Sequence, residues 1–192
     1  FETLGDGGDV LLARSVYSVG GGALLDEAGA PFGADAGGDV YPYVCMRDVL
    51  DLCERERLGF WEVVRRCEGD GIDAFLAGIW SAMKRAVAAG LDAEGRLPGT
   101  LQVPRKASAY HARARGAAGH FGKTALLFAY ALAVSEENAA GGEVVTAPTC
   151  GACGVLPAVL LFLQRQSRLP DRKIVRALAT AEIGRASCRE RV

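Results

Sequence analysis

The sequence predicts a mainly α-helical chain preceded by a short β-hairpin, and three observations predict it. From Cys45 onward, apolar residues recur at helical spacing in one stretch after another. Before about Val44, the only strand-like pattern lies around a triple glycine, Gly20-Gly21-Gly22, bounded by short apolar runs. Half of the 192 residues are hydrophobic and 23% are charged, which suits one domain with a real core and not a disordered chain.

In chain order, Val10 to Val19 mixes apolar and polar residues around Tyr17, and Gly20-Gly21-Gly22 turns the chain into Ala23-Leu24-Leu25. The triple glycine is either an ordinary hairpin turn or an anion-binding nest of backbone N–H groups with the Ser18 hydroxyl beside it. Gly29 to Gly38 is a connector. Met46, Val49, Leu50 and Cys53 then fall at helical spacing, as do Phe60, Val63 and Val64 after a break at Gly59. Ile72, Phe75, Leu76, Ile79, Trp80, Met83 and Val87 form one apolar stripe, which is core, with Gly90 where a C-terminal glycine is expected.

Gly95 to Ser108 is a loop held by Pro98, Gly99 and Pro104. Its Arg105 and Lys106 suit either a substrate carboxylate or solvent. Thr124 to Ala139 is a helix that is apolar over most of its surface. Glu136, Glu137 and Asn138 sit at its end, where the helix dipole disfavours negative charge. Either the two carboxylates are merely exposed, or one faces a site as an ammonium ligand or base. The last helix runs from Asp171, a cap after Pro170, to about Ala181.

Between these helices lies VVTAPTCGACGVLPAVL, Val144 to Leu160. A β-branched run breaks at Ala147-Pro148, turns through Thr149, Cys150, Gly151, Ala152, Cys153 and Gly154, and enters an apolar run. This is the pattern of a small-residue loop feeding the N-terminus of a buried helix. Free backbone N–H groups and partial positive charge at such a start can hold a carboxylate or phosphate. A tight loop before a core helix is the plainer account.

Several chemistries are excluded or weakened. A net charge of −1 gives no reason to expect nucleic acid or an acidic membrane as partner. The basic clusters Arg65-Arg66, Arg105-Lys106 and Arg113 to Arg115 have no interleaved aromatic residues. Val155 to Leu163 is about half the length of a membrane span. Six cysteines and no visible signal peptide fit a cytoplasmic chain whose thiols are free, redox groups or metal ligands, and not a disulfide framework. GHFGKT, Gly119 to Thr124, lacks the upstream glycine and the strand of a phosphate-binding loop. Cys150 and Cys153 have the spacing of a thioredoxin-like dithiol, but the preceding 100 or so residues are helical where that fold needs strands. A zinc site lacks two further ligands at suitable spacing. No lysine stands in the setting of a pyridoxal-phosphate enzyme.

The order of residues in TAPTCGACGVLPAVL resembles the TAPTNGAxGIxPAVL signature of the bacterial iron–sulfur L-serine dehydratases (L-serine ammonia-lyases), in their α or catalytic part. VYSVGGG (Val16 to Gly22), PGTLQVPRKA (Pro98 to Ala107) and ALAVSEENAAGG (Ala131 to Gly142) are similar to further motifs of that family, in the same order. The resemblance runs from about Val10 to about Gly184. It implies β-elimination of water from L-serine through aminoacrylate to pyruvate and ammonia. It also implies a [4Fe–4S] cluster as Lewis acid in the full-length enzyme. It favours the nest reading of the triple glycine and a substrate site of Ser18, Gly20, Gly21, Gly22, Thr146, Pro148, Thr149, Cys150 and Gly151. Glu136, Glu137 and Asn138 are candidate site groups, and the general base is unassigned.

There are departures from the family. Cys150 stands where the signature has Asn, and the family's cluster cysteines lie downstream of this segment. Arg185 to Val192, RASCRERV, does not continue the family pattern and looks like a foreign tail. The chain starts at Phe1 without Met, as a piece of something longer would. The expected organisation is a hairpin and connector over 1–43 from the end of a preceding domain, a helical catalytic-domain fragment over 44–184, and the tail over 185–192. The expected partners are L-serine and the missing C-terminal part of the same domain, with a homo-oligomer left open. No metal or cluster is expected on this fragment, which is expected to be inactive alone. The alternatives are a dithiol oxidoreductase using Cys150 and Cys153, or a helical interaction domain without chemistry.

Overall fold

The computed structural model describes residues 2–4, 7, 9–20, 23–32, 40–43, 45–117, 119–146 and 150–187. It divides into two compact units, residues 1–39 and 40–192.

Among its described residues the first unit holds four short strands in two antiparallel pairs. β1 (Glu2–Leu4) pairs with β2 (Val10–Ala13), and β3 (Tyr17–Gly20) pairs with β4 (Ala23–Leu25). The hairpin expected around the triple glycine is therefore β3–β4. The single run expected over Val10 to Val19 is instead two strands in different pairs, parted at residues 14–16. After β4, the Asp26 carboxylate accepts the amides of Ala28 and Ala30 at 2.9 and 2.8 Å and so fixes the next turn.

The second unit is helical. It contains α1 (Met46–Glu56), α2 (Phe60–Glu68), α3 (Ile72–Asp92), α4 (Ala107–Gly116), α5 (Gly119–Ala139), α6 (Val155–Ser167) and α7 (Asp171–Ser187). Each boundary has a local cause. The Cys45 amide donates to Asp48 at 3.1 Å and starts α1, and the Gly59 amide donates to Glu62 at 2.8 Å and starts α2. Arg57 and Arg168 close α1 and α6 in the left-handed region, at φ 55 and φ 49.

The core joins Val49, Val63, Val64, Trp80, Met83, Val87, Tyr130, Ala133, Val134, Leu161, Ile174 and Ile183 across these helices. The stripe expected on α3 is mostly this core, but Phe75 is 62% exposed, and Leu50 of α1 is 45% exposed. Both lie at the edge of their stripe, where periodicity alone does not fix burial.

Three boundaries differ from the sequence pattern. Gly90 is not the end of α3 but lies buried inside it. A Cβ there would lie well inside contact distance of the Ala133 carbonyl, so the glycine permits α3 and α5 to meet backbone to backbone. α5 begins at Gly119 and absorbs the GHFGKT stretch into its first turns. α7 continues to Ser187, past the expected end near Ala181.

Candidate active site

The C-terminal end of α5 gathers the motif residues of the second unit. Gly141 takes φ 81, the Gly142 amide donates to the Glu137 carbonyl at 2.9 Å, and the Gly141 amide donates to the Asn138 carbonyl at 3.2 Å. This pairing of bonds is a Schellman termination, and it explains why two glycines follow Ala139-Ala140. A Cβ at Gly142 would sit 2.6 Å from the Glu137 carboxylate.

From this last turn three consecutive side chains leave in different directions. Glu136 is 6% exposed, and its Oε1 accepts the Lys106 amide at 2.7 Å and the Ala107 amide at 3.3 Å. Those are donors at the start of α4, so the carboxylate occupies the positive end of that helix. Glu137 accepts from Arg105 Nη1 at 2.9 Å, in a pair whose side chains are only 15% and 10% exposed. Asn138 Nδ2 donates to the Cys150 carbonyl at 3.3 Å. The two acids lie where their own helix dipole opposes them, and each finds its positive partner on the Arg105–Ala107 stretch. That stretch ends a hairpin-like loop, closed by Arg105 N–H to the Gly95 carbonyl at 2.9 Å and Leu97 N–H to the Val103 carbonyl at 2.8 Å.

The turn itself is described at Thr146, which is exposed, and from Cys150 on. Cys150–Ala152 is one 3-10 turn, and Gly154 leads directly into α6. Cys150 and Gly151 are exposed, whereas Cys153 and Gly154 are buried, so the turn offers its first half outward and packs its second half inward. The loop-into-helix layout expected from the sequence is therefore present. Pro148 and Thr149 lie outside the described residues, as do Gly21 and Gly22 of the first unit. Ser18 and Gly20 are on β3. Within the second unit the structure brings together Glu136, Glu137, Asn138, Cys150, Arg105 and the amides of Lys106 and Ala107.

The sequence pattern gave no pairing for the two acids and left Arg105 open between substrate and solvent. The signal that could have found these links was the misplacement itself. Two acids at the negative end of a buried helix need compensating charge, and Arg105 belongs to the neighbouring motif.

Burial pushes the Cys153 thiol up, with the nearby Cys150 adding to the effect. This is opposite to the depressed thiol of a reactive dithiol. The described residues form no sheet larger than two strands, so the layout around Cys150 and Cys153 is not that of a thioredoxin fold. A [4Fe–4S] cluster needs three or four thiolates converging on a point. Among the described residues no group of three or more Cys, His, Asp or Glu is placed to hold a metal. Cys45 is exposed at the start of α1, and desolvation raises the thiols of Cys53 and Cys67 on α1 and α2. The described residues do not fit the cluster. Two shallow hollows lie along α5 and α6, around His120, Lys123, Leu127 and Phe162 in one and Arg165 and Gln166 in the other, and contain none of the site residues named above.

A family model described as serine dehydratase alpha chain matches residues 44–191, which includes most of the stretch set apart as a tail. L-serine dehydratase 1 of Escherichia coli is 36% identical over 194 residues, covering 93% of this chain and 42% of that protein. An L-serine dehydratase of Haemophilus influenzae is 38% identical over 168 residues, 81% of this chain and 36% of that protein. One of Streptomyces coelicolor is 39% identical over 165 residues, again 81% and 36%. The chain thus spans about two fifths of the length of the curated relatives it matches.

Proposed function

The chain belongs to the serine dehydratase alpha chain family, and we propose from this premise that it carries the L-serine-binding part of an L-serine dehydratase. The reaction removes the α-proton and the β-hydroxide of L-serine to give aminoacrylate, whose imine tautomer takes up water and releases ammonia and pyruvate. The family match across the turn from Thr146 to Gly154 is the observation that carries this reading.

In this reading the substrate carboxylate is held by backbone N–H groups of Thr146, Thr149, Cys150 and Gly151, in the turn that Pro148 belongs to. Small residues matter there because a carboxylate bound by main-chain donors must approach the backbone closely. Pro148 has no N–H and can serve only to shape the turn. Cys150, exposed at the turn, lies beside the bound substrate. Glu136 and Glu137 are left out of proton transfer, because their carboxylates already serve the α4 amides and Arg105. Departure of hydroxide needs an acid, and no described residue is assigned to that step.

The test is calorimetric titration of the chain with L-serine, with Cys150→Ala beside it. Saturable binding that Cys150→Ala weakens supports the reading. A folded chain that takes up no L-serine overturns it, and a reversible Cys150–Cys153 disulfide would then favour dithiol chemistry.

A further inference from the structure

Glu136, Glu137 and Asn138 together hold two segments at the end of α5, the Arg105–Ala107 stretch and the turn at Cys150, and we propose that Asn138 is the positioning residue that sets the peptide between Cys150 and Gly151. The inference deepens the serine-binding reading and rests on it for its substrate.

Consecutive residues of a helix project about 100° apart, so three neighbours cannot share one partner. Here each has its own: the start of α4 for Glu136, Arg105 for Glu137, and the Cys150 carbonyl for Asn138. The first two anchor the helix end against a buried and compensated surface, which fixes the point from which Asn138 reaches out. The third bond falls on the turn. A peptide group is planar and trans, so a carbonyl held on one side fixes the direction of the N–H on the other. The Cys150 oxygen accepts the Cys153 N–H of its own 3-10 turn at 3.4 Å and Asn138 Nδ2 at 3.3 Å, so the Gly151 N–H points the opposite way, and among the described residues Asn138 is the one side chain that adds to the turn's own hold. That N–H is one of the donors assigned to the serine carboxylate, and Gly151 is exposed. The Schellman termination at Gly141 and Gly142 adds a second constraint, because it sets the direction in which the chain leaves for the turn.

Only a donor in the Asn138 position can make this bond. Asn138→Asp keeps the size and loses the donor, Asn138→Leu loses it without adding charge, and Asn138→Gln restores the amide on a longer arm. The experiment uses the full chain and iodoacetamide, with alkylation of Cys150 read by peptide mass against exposed Cys45 as internal control. The rate is measured without ligand and across an L-serine titration, and each variant is melted in parallel.

The expected result is unchanged melting, a Cys150 rate altered several-fold in Asn138→Asp and Asn138→Leu, and L-serine protection weakened roughly three- to tenfold, about the worth of one net hydrogen bond. Asn138→Gln recovers part of both. If Asn138→Leu does not fold, Asn138→Asp carries the comparison. Variants with the wild-type Cys150 rate and wild-type L-serine protection overturn the inference while leaving the serine reading intact. A wild-type chain that L-serine never protects, but whose ligand-free Cys150 rate still shifts in the variants, overturns the serine reading and leaves the positioning role standing.

Discussion

A carboxylate in the last turn of a helix faces the negative end of that helix's dipole, so a buried one needs an external partner. Glu136 has the Lys106 and Ala107 amides, and its place is legible in the sequence only as an anomaly. Glu136→Ala is expected to lower the unfolding free energy by about 1–3 kcal/mol, because the buried Ala107 amide and the part-buried Lys106 amide lose their acceptor. Glu136→Gln keeps one carbonyl oxygen and should lose less, about 1 kcal/mol. Urea denaturation of the three proteins measures this. Equal losses in the two variants would show that the negative charge, not the acceptor, is what α4 requires. The same residue marks the limit of sequence reading. Its partners are some 30 positions away and are backbone groups, which no side-chain pattern announces.

Among the elements, helices were legible wherever apolar spacing was regular, and less so where a glycine had two meanings. Gly90 suits a helix end in the sequence. In the structure it is the point where α3 crosses α5 against Ala133. The two accounts give opposite signs for Gly90→Ala. Helix propensity alone predicts a gain of about 1 kcal/mol, and the close approach predicts a loss of about 1–3 kcal/mol through overpacking. A loss is expected, read as a lower thermal midpoint. Asp171 likewise changes role. It opens α7 as anticipated, but its carboxylate reaches across to Gln164 of α6 at 2.6 Å and to Trp80 and Lys84 of α3 at 3.3 and 3.1 Å. The Gln164 hydrogen bond first, then those of Lys84 and Trp80, hold its pKa below the ordinary carboxylate value. A depressed acid stabilises the fold fully above its unfolded pKa of about 4 and loses that contribution as pH falls through the folded value. Asp171→Asn should therefore melt lower than wild type at about pH 7, with the gap closing towards about pH 2. The side chain is 60% exposed, so the gap is modest. A gap that stays constant with pH would show that packing, not charge, joins α3, α6 and α7 at this residue.

For the whole molecule, the mainly helical class was legible because periodicity and composition agree, and the family was legible because four motifs stand in one order. The splitting of Val10 to Val19 between two strand pairs was not, since pairing partners are non-local. The cysteines give the last test, because six in one chain invite a cluster that the placement of the five described ones opposes. Cys45 stands at the start of α1, Cys53 further along it, Cys67 near the end of α2, and Cys150 and Cys153 at the turn before α6. A cluster binds thiolates, and burial raises the thiols of Cys53, Cys67 and Cys153 away from that form. Among the described residues no three such ligands meet at a point. Anaerobic reconstitution of the 192-residue chain with iron and sulfide is therefore expected to give fewer than the four irons of a [4Fe–4S] centre and no pyruvate from L-serine. Four irons per chain with pyruvate release would show that these cysteines converge after all.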